Sequence, residues 1–358
     1  MPSCTRIVLA ASLTVATAGL AGAGGSPAAP SRATTTPRTC STSFVASVRR
    51  GPRAGTDYAG VLTLRLDARG RLRGGSFAAL RGGRVAVTTH RHGHAVSLGL
   101  VTRDGTLRGM GTVDGSLRRC VGRMRGQLKG PGRADRGTWL ATTGQTLQLP
   151  GGVQLLTSAE SANHPNPQVV YRIQGLNAAT VFVGALNTPG AVDGQRLAAR
   201  MNRPSGLGYD AAKSLVYVAD VANAGIRRLD LTTNAVTTTL RASDFVAAAH
   251  AAGFPGVTGW EPQGVAVASG GGGALLIADV RNYVIWRYNP ATLALKLYAG
   301  MPGVSGNADG SDTAVRFSAP QQIVASSDGL VAVAEPTTQR VRLREPSSGH
   351  WSTVGVCC

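Results

Sequence analysis

The chain has 358 residues, of which 43% are hydrophobic and 5% aromatic, and its formal net charge is +19. That length allows two domains of ordinary size. Beyond the N-terminus no apolar stretch is long enough to span a bilayer, which excludes an integral membrane protein built from helices. Residues 31–150 contain 21 basic and 5 acidic side chains, whereas residues 151–358 contain 15 and 13, so the positive charge belongs almost entirely to the first half.

The N-terminus has the pattern of an export signal. Arg6 supplies a positive charge, residues 7–20 form an uncharged apolar run, and residues 21–23 are small side chains typical of a cleavage site. The run is too short and too rich in Gly and Ala for a transmembrane anchor. We therefore predict a signal peptide at 1–23, a flexible lead-in at 24–39, and a protein that is secreted or held in the cell envelope.

Residues 40–148 form eight runs of alternating apolar and polar side chains, separated by tight turns. Leu62 and Leu64, for example, alternate with Thr63 and Arg65. Several turns are of the Asp-Gly type, which joins neighbouring antiparallel strands. Eight consecutive hairpin-linked strands predict an all-β, small up-and-down antiparallel barrel. A sandwich remains the alternative, because alternation alone does not separate the two folds.

Four cysteines remain after the signal peptide, which contains Cys4, is removed. Cys40 and Cys120 lie in the first domain, and Cys357 and Cys358 end the sequence. An exported protein meets an oxidising environment, so we predict a disulfide between Cys40 and Cys120. The state of the last two cysteines is left open.

The first domain also contains a histidine cluster. His90, His92 and His94 alternate along the chain, so on a strand their side chains would share one face, as a metal site requires. No cysteine or carboxylate lies near them in sequence, and Gly93 indicates a solvent-exposed hairpin tip. They are weak metal candidates, and we predict neither a metal nor another cofactor.

The second half repeats one pattern three times. Its proline recurs at an interval of 58 residues, as Pro204, Pro262 and Pro320. Each copy continues with an alternating strand, a second strand that ends in an acid, a polar residue three positions later, and a third strand. The acids are Asp220, Asp279 and Glu335, and the polar residues are Asn223, Asn282 and Thr338. Such a period indicates units that stack to bury their apolar faces, and four short strands per unit predict propeller blades.

These residues resemble the NHL repeat, a β-propeller family. The first copy carries nearly the whole family pattern, with Pro204-Ser-Gly206, Tyr217-Val-Ala-Asp220, Asn223 and Ile226-Arg-Arg228. The third departs from it, for example at Gln322, where glycine belongs. The resemblance covers about residues 153–356 and includes a half-copy at its start. It implies NHL-like blades over 149–358, partial or few in number, in which the recurring Pro, acid and Asn residues are structural.

One segment of the second half breaks the β pattern. Residues 243–253 start with Ser243, continue with an Ala-rich interior and end in Gly253, which predicts a short helix. The helix stands where the other copies have an Asp-Gly linker, such as Asp193-Gly194. The sequence leaves open whether the propeller closes alone, with the first domain or with another chain.

Binding or scaffolding is the function that the sequence favours over catalysis. In a blade, the loop between the second and third strands and the linker to the next blade emerge on one face, and binding residues concentrate on loops of rigid scaffolds. The candidate binding residues on this face are Arg203, Trp260, Glu261, Arg281, Asn282 and Tyr283. The expected partner is a protein, a glycan or another polyanion.

Two alternatives remain. A metal-dependent propeller hydrolase or lyase would gather histidines and carboxylates in the central channel, but the histidines occupy no recurring blade position, so no catalytic residue is assigned. An envelope protein could instead bind polyanions through the Arg-rich first domain. Nucleic acid is not expected as the partner, because that domain has few aromatic side chains on which bases could stack.

The cysteine pattern predicts that Cys40 and Cys120 are joined in the exported protein. Non-reducing peptide mapping should recover one peptide pair that contains both residues, and reduction should separate it. Recovery of both as free thiols, or of either joined to Cys357 or Cys358, would contradict the prediction.

Overall fold

The computed structural model describes residues 38–53, 57–67, 72–79, 84–92, 95–102, 105–116, 121–142, 146–157, 168–174, 178–269, 272–335, 337–338 and 340–354. The chain divides into two compact units, Met1–Thr143 and Gly144–Cys358. Sequence reasoning placed the boundary between the two domains at 148/149. Within the described ranges, no helix is both long and apolar enough to cross a membrane.

The first unit is a closed barrel of eight antiparallel strands. They are β1 (Arg38–Arg50), β2 (Asp57–Leu66), β3 (Leu72–Ala79), β4 (Arg84–His92), β5 (Ala95–Thr102), β6 (Gly105–Ser116), β7 (Val121–Lys129) and β8 (Arg136–Thr142). Each strand pairs with the next in sequence, and β1 pairs with β8. The predicted up-and-down barrel is thus confirmed, because a sandwich would leave β1 and β8 as edges of open sheets.

Apolar and polar side chains alternate along the strands, so that the apolar ones fill the interior of the barrel. Leu62 and Leu64 are 1% exposed, whereas Arg65 next to them is exposed. A buried carboxylate joins two turns outside the sheet. The carboxylate of Asp135, before β8, accepts hydrogen bonds from the backbone N–H groups of Arg53 and Gly132, at 3.2 and 2.7 Å. One carboxylate thus satisfies backbone donors of both turns.

The second unit contains four antiparallel sheets, which we number as blades 1 to 4. Blade 1 comprises β9 (Thr146–Gln148), β10 (Val153–Thr157), β11 (Val169–Gln174) and β12 (Ala178–Gly184); blade 2, β13 (Gly194–Gln195), β14 (Pro204–Asp210), β15 (Leu215–Asp220), β16 (Gly225–Asp230) and β17 (Ala235–Leu240); blade 3, β18 (Pro262–Val267), β19 (Leu275–Asp279), β20 (Val284–Asn289) and β21 (Ala294–Gly300); blade 4, β22 (Gln322–Ala325), β23 (Val331–Glu335), β24 (Arg340–Arg344) and β25 (Trp351–Val354).

Successive blades pack through their first strands, as in a β-propeller. Strand β14 contacts β9, β18 contacts β14, and β22 contacts β18. Among the strands that the structure describes, no contact of that extent joins β22 back to β9. The sequence predicted three blades and a partial one, and this count was one half-blade short. The half-copy is in fact a complete four-stranded sheet. Sequence reasoning missed two of its strands because β9 and β12 carry no repeat motif by which to recognise them.

Glycine allows the first strands to approach so closely. A Cβ atom on Gly206 would lie 2.6 Å from the backbone nitrogen of Val265, and one on Gly264 would lie 2.6 Å from the carbonyl oxygen of Gln321. Real Cβ contacts are longer than this, so any side chain at either position would push two blades apart. Blade 4 has Gln322 at the matching position, and among the residues that the structure describes no fifth blade packs against it.

The predicted helix is present as α1 (Ala242–Ala251), between blades 2 and 3. It starts one residue before the predicted Ser243. Its N-cap is Arg241, and no side chain caps the helix there. Phe245 and Ala249 are completely buried, so the helix is held by packing against the blades rather than by its own end groups.

The close approach at Gly264 gives a direct test of blade packing. We expect Gly264→Ala to lower the free energy of unfolding by about 1–3 kcal/mol, because the new methyl group meets backbone atoms that cannot rotate away. Denaturant unfolding of the full chain measures the effect. Gly256→Ala is the control, since a Cβ there meets no atom within 4 Å. Equal stability of the two variants would contradict this account of the packing.

Candidate functional site: the loop face

The loop face is the surface formed by the three linkers between blades (185–203, 241–261 and 301–319) and by the loops 221–224 and 280–283 between second and third strands. Hydrogen bonds tie these segments together. The Asn223 side-chain amide donates to the Gly190 carbonyl at 2.7 Å, and the backbone N–H of Gly303 donates to the Asn282 carbonyl at 3.1 Å. Linkers and loops therefore form one continuous surface.

In blades 2 to 4, a buried acid at the end of the second strand organises the start of its own blade. Asp220, Asp279 and Glu335 are all 0% exposed. Their carboxylates accept backbone N–H groups from the residues just before the blade's proline: Asn202 for Asp220, Glu261 for Asp279, and Ser318 and Ala319 for Glu335. Pro204, Pro262 and Pro320 follow directly and are buried.

Two asparagines extend this arrangement to the linkers. Asn223 donates to Asp220 at 2.8 Å, and Asn282 donates to Asp279 at 2.6 Å. The same amide groups also donate to linker carbonyls, of which Gly259 is the one that Asn282 contacts, at 2.8 Å. Burial raises the pKa of Asp220 and of Asp279, and the surrounding donors oppose that shift.

In blades 2 and 4, a fully buried arginine completes this arrangement. We call it the clamp: the acid at the end of the second strand, the arginine on the third strand, and the linker that precedes the blade. Arg227 is 1% exposed and lies 3.1 Å from the Asp220 carboxylate and 2.7 Å from that of Asp193. Its two terminal nitrogens also donate to the carbonyls of Val192 and Arg200 in the linker. One side chain thus joins the second strand, the third strand and the preceding linker.

Arg342 repeats the same arrangement in blade 4. It is 0% exposed, lies 2.8 Å from the carboxylate of Asp309 and 3.6 Å from that of Glu335, and donates to the carbonyls of Ala308 and Arg316. Sequence reasoning did not single out either arginine. The available signal was a charged residue at a strand position that other blades fill with an apolar side chain.

Blade 3 replaces the arginine with an aromatic cluster. Trp286 occupies the position of Arg227, and its indole N–H donates to Asp279 at 2.9 Å. Phe245 and Phe254, from the helical insertion, pack edge-on against its ring. Since the insertion lacks an Asp-Gly linker, no second carboxylate is present to pair with an arginine here.

The structure contradicts the role predicted for Trp260. This side chain is only 4% exposed, stacks on Phe245 with ring centroids 4.1 Å apart, and donates its indole N–H to the Ala224 carbonyl at 2.8 Å. It is a core residue between blades 2 and 3. The error arose because the apolar environment that the insertion supplies could not be read from the position of the tryptophan in a linker.

The other candidates belong to the segments that define the loop face, and their exposure differs. Arg281 is exposed, whereas Arg203, Glu261 and Tyr283 are half-buried and Asn282 is buried. Tyr283 has a backbone φ of 59°, in the left-handed region that bulky residues rarely adopt. The structure thus fixes the direction in which this aromatic ring leaves the loop.

The loop face also has exposed apolar side chains that the sequence analysis missed. In the described residues, eight large apolar side chains are exposed, and five of them belong to two linkers. These five are Leu186, Val192, Leu197, Met301 and Val304. Their only sequence signal is position, between the last strand of one blade and the proline of the next.

The metal and disulfide candidates lie where little is described. His90 and His92 lie on β4, while His94 and Cys120 fall outside the described residues; Cys40 lies on β1. Within the described part of the chain, no three His, Cys, Asp or Glu side chains are grouped closely enough to hold a metal ion.

No protein-family model matches the chain, and no curated protein matches it. Among solved structures, it is similar to a structural genomics protein of unknown function from Bacteroides thetaiotaomicron, with 11% identity, a TM-score of 0.43 and coverage of 87% of this chain and 78% of that one. An auxiliary nutrient binding protein from the same organism has 14% identity, a TM-score of 0.41 and the same coverage. A catalytically inactive virginiamycin B lyase from Staphylococcus aureus has 10% identity, a TM-score of 0.38 and coverage of 90% and 89%.

The clamp predicts a large difference between two neighbouring arginines. Arg227→Met should lower the free energy of unfolding by about 3–5 kcal/mol, because it leaves the Asp220 carboxylate buried without its cation. Arg228→Met, at the next and exposed position, should change it by no more than about 0.5 kcal/mol. Denaturant unfolding of both variants provides the comparison, and similar losses in both would refute the clamp.

Proposed function

We propose that the chain is an exported binding protein whose β-propeller-like unit presents the loop face to a partner. The single observation that carries the proposal is the concentration of exposed apolar side chains on two linkers of this face. Isolated exposed apolar residues are ordinary on protein surfaces, but a group of them on one face is typical of an interaction surface.

The linkers that bear these side chains are held rigidly. Val192 is exposed through its side chain while its carbonyl accepts a hydrogen bond from buried Arg227 at 2.8 Å and another from the backbone of Arg200 at 2.9 Å. The linker before blade 4 is held in the same way through Ala308 and Arg342. A partner would meet a surface that is already ordered, so binding would require little loss of conformational entropy.

Charge on the same face favours a partner with acidic groups beside an apolar patch. Arg281 is exposed next to Tyr283, and Arg203 lies at the start of blade 2. Aromatic and arginine side chains are the residue types that most often dominate the energy of an interface. We therefore assign the partner to the proteins of the exported or envelope fraction. The N-terminal sequence pattern supports export, and the surface composition supports a protein ligand.

The proposal is tested by comparing the two faces. Val304→Ser and Leu293→Ser each remove one apolar side chain, with exposed fractions of 42% and 66%, from the loop face and from the opposite face respectively. The immobilised wild-type chain should retain at least one envelope protein that the Val304→Ser variant retains several-fold less and Leu293→Ser retains equally. Retention lost only in Leu293→Ser, or unaffected by either change, would contradict the choice of face.

A further inference from the structure

A cleft of about 180 Å³ lies between blades 3 and 4, at the end of the sheets opposite to the loop face. It is bounded there by the turns that join first to second and third to fourth strands. Its lining residues from blade 3 are Ala268, Ser269, Leu276, Arg287 and Tyr298, and those from blade 4 are Ala325, Gly329, Val331, Arg344 and Pro346. The proposed loop-face function does not involve any of them.

The same position between blades 2 and 3 is bridged by side chains. There, the hydroxyl of Tyr288 donates to the Thr239 carbonyl at 3.3 Å. Lys213 reaches across to the Gly272 carbonyl at 3.0 Å and lies 3.7 Å from the carboxylate of Asp210. Two polar bridges therefore span this pair of blades.

Substitutions within the repeat replace one of these bridges between blades 3 and 4 and change the other. The strand register places Arg344 where blade 3 has Tyr288, since each pairs with the first residue of its second strand. Arg344 is drawn to Asp312, with hydrogen bonds of 2.7 and 3.0 Å, and lies 5.1 Å from the centroid of the Tyr298 ring. Ala268 stands where blade 2 has Asp210, so the carboxylate of the second bridge is missing as well.

The open cleft has a positive rim. The side chain of Arg287 is exposed and makes no hydrogen bond or ion pair with any residue in the described part of the chain. Lys296 is paired with it across the two strands and is also exposed, while the charge of Arg344 is balanced by Asp312. A guanidinium group that has no internal partner is suited to bind a carboxylate through two parallel hydrogen bonds.

The remaining walls of the cleft combine polar and hydrocarbon surface in about equal parts. Leu276, Ala325, Val331 and Pro346 supply hydrocarbon surface, and Tyr298 supplies a ring edge and a hydroxyl group. Burial raises the pKa of Tyr298, so its hydroxyl stays protonated at neutral pH and can donate. A ligand of matching chemistry has one anionic end for Arg287 and a compact apolar body for the floor.

We propose that this cleft binds a small carboxylate with a flat apolar body, with Arg287 as the residue that holds the anion and Tyr298 as a further donor. The cleft lies at the position equivalent to that where Lys213 bridges blades 2 and 3, and blade 3 has glycine in place of that lysine, at Gly271. The volume limits the ligand to something near the size of benzoate, since complete pockets for drug-sized molecules are larger, at roughly 300–1,000 Å³.

Titration of the full chain with benzoate, followed by NMR chemical-shift changes, tests the proposal. Saturable binding is expected, and the uncharged isostere benzamide should bind about tenfold or more weakly, because it lacks the charge-assisted hydrogen bonds. Absence of saturable binding of benzoate, or equal binding of benzamide, would overturn the proposal.

Two matched variants locate the site. Arg287→Gln should weaken benzoate binding by about tenfold or more, whereas Arg228→Gln should leave it unchanged, because Arg228 is the equivalent exposed residue beside the bridged position. Ala268→Asp places a carboxylate in the cleft and should also weaken binding through repulsion. Both substitutions at exposed arginines leave the buried clamp intact, so loss of folding does not explain a difference between them. Equal effects of the two glutamine variants would assign binding to another part of the chain.

Discussion

The buried carboxylate at the end of the second strand in blades 2 to 4 is the interaction on which these blades depend. Asp220 accepts backbone groups from the start of its own blade, an amide from the adjoining loop and the guanidinium of Arg227. Arg227 in turn reaches two carbonyls of the preceding linker. Taking a carboxylate and a guanidinium out of water is costly, and it becomes favourable only when nearly every polar atom finds a partner. The clamp is therefore sensitive to the loss of any one member.

Blade 3 shows what happens when one member of the clamp changes. A helical insertion replaces the Asp-Gly linker, so a buried arginine would have only one carboxylate. Trp286 stands in its place, keeps a single hydrogen bond to Asp279, and fills the remaining volume with aromatic contacts to Phe245 and Phe254. Blade 1 has Tyr171 at the same strand position, completely buried as well. Linker and third-strand residue thus vary together, because the side chain at this position must match what the linker offers.

Much of the fold could be predicted from the sequence, because its signals are local and periodic. Alternation of Leu62 and Leu64 with Arg65 indicates a strand, and the interval between Pro204 and Pro262 indicates a repeat. The burial of individual side chains could not be predicted in the same way, because it depends on contacts between segments that lie apart in the sequence. Trp260 was assigned to the loop face since its linker position is visible in sequence, but its burial depends on Phe245, which a helix brings from fifteen residues away. Likewise, Arg227 and Arg342 look like surface residues until the carbonyls that surround them are known.

The repeats also provide an internal reference for locating function. Positions that obey the repeat, such as Gly206 and Gly264, are explained by contacts between blades and need no ligand. Positions that depart from it call for another explanation. Gln322 departs on the first strand of blade 4, against which no fifth blade packs in the described part of the chain. Ala268 departs where blade 2 has the Asp210 carboxylate beside the bridging Lys213, and the cleft with the unpaired Arg287 guanidinium at its rim lies at this position. A stacked array is stabilised by closing such gaps. Blades 3 and 4 leave a gap where Lys213 bridges blades 2 and 3, so this gap is the part of the surface that packing alone does not explain.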